Sequence, residues 1–213
     1  MPFGYIGQNQ TNQKIKNSGV LSSFEISHLE KQGHAGGSLE LIEEQTISGT
    51  VAQVDFTSIE QSKYDVHLLI LKNMITETNN KRVTLRFFES GTIETASVYQ
   101  FGSQVNTLSG STEVRSTSSN DIRITDNAGN DTGESSNTYV YLYNLGDSSK
   151  YSFVTYHSTG SNGTPTYFTE FGGGILPQAS TVDGIRVLGN SSQNLTGGNL
   201  KLYGVKQLWV LWD

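Results

Sequence analysis

The chain contains no cysteine, which excludes disulfides and thiolate metal sites. No stretch approaches the roughly 20 apolar residues of a membrane span. Residues 1–20 hold no continuous apolar core of the kind a secretory signal needs. The expectation is a protein made in a cytosol, or carried elsewhere inside an assembly. Charge is scarce as well. Charged residues make up 16% of the sequence, which argues against a coiled coil or a charge-rich disordered tail. The net charge is −6, and the Lys and Arg residues are scattered from Lys14 to Lys206 without forming a basic patch. Nucleic acid is therefore not an expected partner.

The motifs of common catalysis are also missing. A serine hydrolase would need a G-x-S-x-G elbow, and a nucleotide-binding loop would need G-x-x-x-x-G-K-[ST]; neither occurs. The four histidines, His28, His34, His67 and His157, never fall at H-x-x-x-H spacing. His67 lies in the most apolar run and is expected to be a hydrogen-bonded core or interface histidine and not a ligand. Asp126, Asn127, Asn130 and Asp131 offer hard oxygen ligands, but their spacing departs from a calcium-binding loop and fits a polar turn better. Glu89, Glu94 and Glu170 are the strand carboxylates that a glycosidase could use, and no spacing singles out a pair. No catalytic residue, metal or cofactor is expected, and the chain is read as a non-enzyme.

Gly, Ser, Thr and Asn occupy the place of the missing apolar and charged residues. Apolar content is 34%, and the substitutes favour turns and strands over helices. Residues 1–17 (MPFGYIGQNQTNQKIKN) are polar and amide-rich, and read as an extended arm. A short helix is expected near residues 21–32, capped by Ser22 or Ser23, with Leu21, Phe24, Ile26 and Leu29 as an apolar stripe. At two turns it needs a partner to be stable.

From there the chain alternates as strands do. Residues 45–59 read as one strand with an irregularity at Gly49. Residues 64–73 read as a central strand. In 82–89, Val83, Leu85 and Phe87 share one face. Residues 108–119 are Ser/Thr-rich and read as a loop. Segments 138–145 and 150–157 flank a Gly146-Asp147-Ser148-Ser149 turn and should form a hairpin. Residues 166–171 form a strand that stops at Gly172-Gly173-Gly174, where a bend or a close backbone approach is expected. Segments 182–188 and 199–205 read as a final pair. Nine or ten short strands without intervening helices predict a mainly β fold, an antiparallel β-sandwich or jelly roll. The division expected is an arm over residues 1–45 and a sandwich domain over 46–213.

Two groups of aromatics stand out. Tyr139, Tyr141 and Tyr143 fall on one side of their strand, opposite Val140 and Leu142, with Tyr151 and Tyr156 on the partner segment. Such a row can hold sugars, whose C–H groups stack on rings, or can simply pack across strands. Trp209 and Trp212 lie in the apolar run 208–212 near the end of the chain. They form either the last strand of the core or an assembly interface.

Several phrases carry a resemblance: NSGVLSSFEISHLEKQG near the start, then LELIEEQTISGTVAQVDFTSI, YDVHLLILKN, YVYLYNLGDSSKYSF and LTGGNLKLYGVK. Together they resemble small virion structural proteins of marine tailed bacteriophages, cyanophages in particular, over most of residues 17–206. The resemblance implies a β-sandwich subunit of a tail fibre, spike or capsid decoration, often a homotrimer. It implies no catalytic residues. On this reading the arm docks on a tail adaptor or the capsid through Leu21, Phe24, Ile26 and Leu29, and the sandwich displays a host-binding surface. A capsid cement protein and a non-catalytic carbohydrate-binding module are the alternatives. The expected location is the virion, after synthesis in the host cytoplasm.

Overall fold

The computed structural model describes residues 23, 26–28, 38–164 and 166–206. The chain divides into two units, Met1–Ser38 with Leu208–Asp213, and Leu39–Gln207. In the first, Ser23 and residues 26–28 are helical, and the Ile26 side chain is exposed. Leu21, Phe24, Leu29, Trp209 and Trp212 lie outside the described residues.

The second unit is built from thirteen strands: β1 (Leu39–Ile47), β2 (Gln53–Phe56), β3 (Val66–Thr76), β4 (Val83–Glu89), β5 (Thr92–Ile93), β6 (Tyr99–Thr107), β7 (Gly110–Ser119), β8 (Ile122–Arg123), β9 (Ser136–Tyr143), β10 (Ser152–Ser161), β11 (Tyr167–Leu176), β12 (Val182–Gly189) and β13 (Leu195–Val205). Eight of them form one sheet in the order β1-β13-β3-β9-β10-β11-β6-β7. The other sheet runs β2-β12-β4-β5, with β8 added against β4. All pairings are antiparallel, and the sheets pack as a sandwich. The mainly β sandwich expected from alternation is the fold observed.

The core follows from that alternation. Leu69, Leu71, Val140, Leu142, Val154, Leu200 and Leu202 point inward from the larger sheet. They meet Val54, Phe56, Val83, Leu85, Phe87, Ile185 and Val187 from the smaller one. Each such side chain contributes on the order of 1.5–3 kcal/mol by leaving water. Most inward positions are apolar, which is why the segments read as period two, although Ser136, Thr138, Ser152, Ser158 and Glu170 are buried as well.

The strands differ from the sequence expectation in five places. Residues 45–59 are two strands, not one: β1 joins the larger sheet and β2 the smaller, and the chain crosses between them after Ile47. Because β1 begins at Leu39, the sandwich starts ahead of the expected boundary at residue 45. Segment 108–119 is the edge strand β7 rather than a loop. An edge strand with both faces exposed needs no apolar alternation, and its threonines are good strand formers. β11 continues through Gly172-Gly173-Gly174 instead of ending there. Finally, β12 and β13 do not pair with each other; they lie in opposite sheets.

His67 is fully buried, as expected of a core histidine. Its Nε2–H donates to the Ile59 carbonyl at 2.7 Å, and its ring meets Tyr64 edge-on at 5.8 Å. Burial holds its pKa below the ordinary imidazole value of 6.5. The unfolded chain therefore binds the proton more tightly. The stability from neutral His67 is complete above the unfolded value and is lost as pH falls below it toward the folded one. Urea melts at successive pH values should give a midpoint that falls below about pH 6.5, with much of that slope removed in His67→Asn.

Candidate functional site

The two outer faces of the sandwich differ in chemistry. That of the smaller sheet is polar. Arg186 makes a two-pronged pair with Asp55 across β12 and β2, at 2.7 Å for both contacts, and Arg86 lies 3.8 Å from Asp121. None of the exposed large apolar side chains among the described residues belongs to that sheet. The larger sheet instead exposes Tyr139, Tyr141, Phe153, Tyr167 and Phe171.

The register of β9, β10, β11 and β6 arranges these rings. His157 sits opposite Tyr139 on one side and Phe171 on the other. Phe153 sits opposite Tyr143 and Ile175. Between these rows Thr155 lies opposite Tyr141 and Gly173, and Gly173 lies opposite Gly102, which in turn faces Arg115 on β7. Directly paired residues share a face, so two adjacent glycines interrupt an aromatic surface. The result is a trough. One hollow of about 600 Å³ is lined by Tyr143, Phe153, Ile175, Gly173, Gly102 and Arg115. A second of about 430 Å³ continues past Gly102 to Phe171, Gln104 and Glu113. A third, of about 340 Å³, lies beside Tyr139, His157 and Ile70.

The rings are held by each other and by hydroxyls. Tyr139 and Tyr141 meet edge-on at 6.2 Å, and Tyr141 stacks on Tyr143 at 6.5 Å. Tyr139 also meets His157 edge-on at 5.7 Å, with its hydroxyl 3.4 Å from Nδ1. His157 Nε2 lies 2.8 Å from the Thr169 hydroxyl, and the Tyr143 and Thr155 hydroxyls are 3.1 Å apart. The surface thus offers ring faces to C–H groups and a ready set of donors and acceptors to hydroxyls.

Beneath it lies a buried polar bridge. Glu170 points inward from β11 and is fully buried. It lies 2.9 Å from Arg123 Nε of β8, in the opposite sheet, and accepts from Ser103 at 2.6 Å and Tyr156 at 3.0 Å. Arg123 also reaches Asp126. Burial first, and then the neighbouring Glu170 carboxylate, hold the Tyr156 phenol protonated far above its ordinary range. Glu170 is thus a buried strut between the sheets. Glu89 accepts from Ser180, and Glu94 from the Ala96 amide and Gln178, so the three candidate carboxylates have separate structural partners.

The structure brings Tyr139, Tyr141 and Tyr143 together on the outer face. It turns Tyr156 inward, because on β10 the outward positions are Phe153, Thr155 and His157. Sequence reasoning missed Phe153, Phe171 and the Gly102–Gly173 floor. Phe153 and Phe171 were visible as the odd members of their alternations, but the glycines acquire meaning only from the register. In the loop after β8, Asn127 accepts from Arg82 at 3.1 Å, Asn130 donates to the Glu77 carbonyl at 2.8 Å, and Asp131 accepts from Asn79 at 3.2 Å. Among the described residues no group of three His, Asp or Glu gathers at metal-binding range.

No protein-family model, curated protein or solved structure matches this chain.

The glycines make separable demands. A Cβ on Gly174 would come within 2.7 Å of Ile122 Cγ2, whereas one on Gly102 would meet nothing within 4 Å. Gly174→Ala should cost roughly 1–3 kcal/mol in denaturant melts, and Gly102→Ala should stay within about 0.5 kcal/mol of the parent. Glu170→Ala, which strips Arg123 of its buried partner, should cost roughly 3 kcal/mol or more.

Proposed function

We propose that this chain is a non-catalytic structural subunit of a phage virion that recognises a host-surface saccharide through the outer face of its larger sheet. The glycine-floored trough between exposed aromatic rows is the observation that carries this reading. Sugar rings present flat C–H faces and rims of hydroxyls. They fit a surface where Tyr139, Tyr141, Phe153 and Phe171 offer rings while His157, Thr155 and Thr169 offer hydrogen bonds. Nothing in the trough demands a charged ligand, since Arg115 and Glu113 lie beside each other at its edge. The virion setting rests on the phrase-level resemblance.

The topology supports a tether at one edge and recognition at the other. Leu39 and Val205 are paired neighbours, so both ends of the sandwich leave the sheet at the β1–β13 edge. The trough runs from β9 and β10 across β11 and β6 to β7, and its glycine floor on β11 and β6 lies roughly 25 Å from that edge at the usual strand spacing. Whether the arm meets a tail adaptor or the capsid is decided by copies per particle: a small multiple of three or six for a tail, hundreds for a cement protein.

Two experiments test the reading. Full-length protein should bind polysaccharide extracted from the host surface. Gly102→Leu, whose Cβ would meet nothing within 4 Å and whose longer side chain would occupy the trough, and Phe153→Ala should each weaken binding roughly tenfold with unchanged melting. Parental binding by both variants would remove the trough from the account. For the tether, deletion of residues 1–40 should abolish incorporation into virions, and normal incorporation of the truncated chain would remove the anchoring role.

A further inference from the structure

The two edges of the larger sheet are built differently. β1 is blunted: it carries Glu40, Glu43 and Glu44, and its register breaks between Leu41 and Glu43. These are the usual devices by which an edge avoids pairing with another chain. β7 carries fewer of them. Its sequence GSTEVRSTSS contains no Pro and no Lys, and its pairing with β6 runs without interruption from Gly110 to Ser116, breaking register only beyond that, before Ser119. No described strand covers its other edge.

Its two charged residues are Glu113 and Arg115, both on the exposed side and with side chains 74% and 83% exposed. Thr107 and Gly110 close a two-residue turn. Thr112, Val114 and Ser116 therefore spend their backbone groups on β6, and Ser111, Glu113 and Arg115 keep theirs at the edge. An antiparallel pairing of this edge with itself must match edge-facing residues with edge-facing residues. Centred on residue 113 it would set Glu113 against Glu113, and centred on residue 115 it would set Arg115 against Arg115. Centred on Val114 it sets Glu113 opposite Arg115 of the second copy, and Arg115 opposite Glu113. Opposite charges across strands are favourable, and like charges are not.

We infer that β7 is a self-pairing edge whose partner is a second copy of this chain, joined antiparallel about a two-fold axis at Val114. The pairing would make one continuous sheet of sixteen strands and bring the two troughs side by side. An edge contact of this kind is small, so the association belongs to the weak, concentration-dependent class. It does not depend on what the trough binds, and it predicts a two-fold dimer where the resemblance implies a trimer.

Sedimentation velocity of the full-length protein over a concentration series tests it. The parent should approach a dimer at high concentration. Glu113→Arg alone and Arg115→Glu alone each place two like-charged pairs across the axis and should weaken association roughly tenfold or more. The double variant Glu113→Arg with Arg115→Glu restores opposite charges and should return association to within about threefold of the parent. A parent that stays monomeric, a trimer insensitive to the single reversals, or a double variant as weak as the singles would each overturn the inference.

Discussion

β10 pairs with β9 on one side and β11 on the other, without a register break along either ladder. Val154 and Tyr156 are thereby committed to the interior, and Phe153, Thr155 and His157 to the surface. A slip of β10 by one residue would exchange the two sets and turn Phe153, Thr155 and His157 into a core shaped for Val154 and Tyr156. The outer aromatic surface and the core are therefore two sides of the same strands, fixed by one pairing. The interior decides the register, because that is where burial is worth kilocalories, and the surface inherits it.

The sandwich also has to hold a charge between its sheets. Glu170 and Arg123 are both nearly free of solvent, and a buried pair of this kind repays its desolvation only when its remaining hydrogen-bonding capacity is used. Ser103, Tyr156 and Asp126 use it. The bridge joins β11, which floors the trough, to β8 in the opposite sheet. Gly174 is the complement of that joint, since its missing side chain makes room for Ile122 of β8. The glycine run thus answers two needs. Gly174 lets the sheets approach beneath the trough, and Gly173 opposite Gly102 leaves the trough open above.

Much of this was legible in the sequence. The β class, the hairpin of β9 and β10, the inward face of β4 and the outward row of Tyr139, Tyr141 and Tyr143 all follow from period-two patterning within single segments. What was hidden depends on partners. The segment over residues 45–59 alternates throughout, and nothing local reveals that it changes sheets after Ile47. β7 lacks an apolar face because it is an edge, so it looked like a loop. Gly172 to Gly174 looked like a terminus because an isolated strand has no reason to contain three glycines, whereas β11 packed between β6, β10 and β8 does. Glu170 and Glu89 are alike in sequence, yet one is a buried strut and the other is tied to a surface serine.

The central claim is that the glycine-floored trough on the larger sheet is where this protein meets a saccharide. The most direct measurement is a titration of isotope-labelled full-length protein with oligosaccharide released from the host surface, followed by backbone amide shifts. The account predicts that the perturbed amides cluster at Gly102, Phe153, Thr155, Phe171 and Gly173, while those of Asp55, Arg86 and Arg186 on the opposite sheet stay still. Saturable shifts centred on the smaller sheet, or no saturable shifts at any ratio, would contradict it.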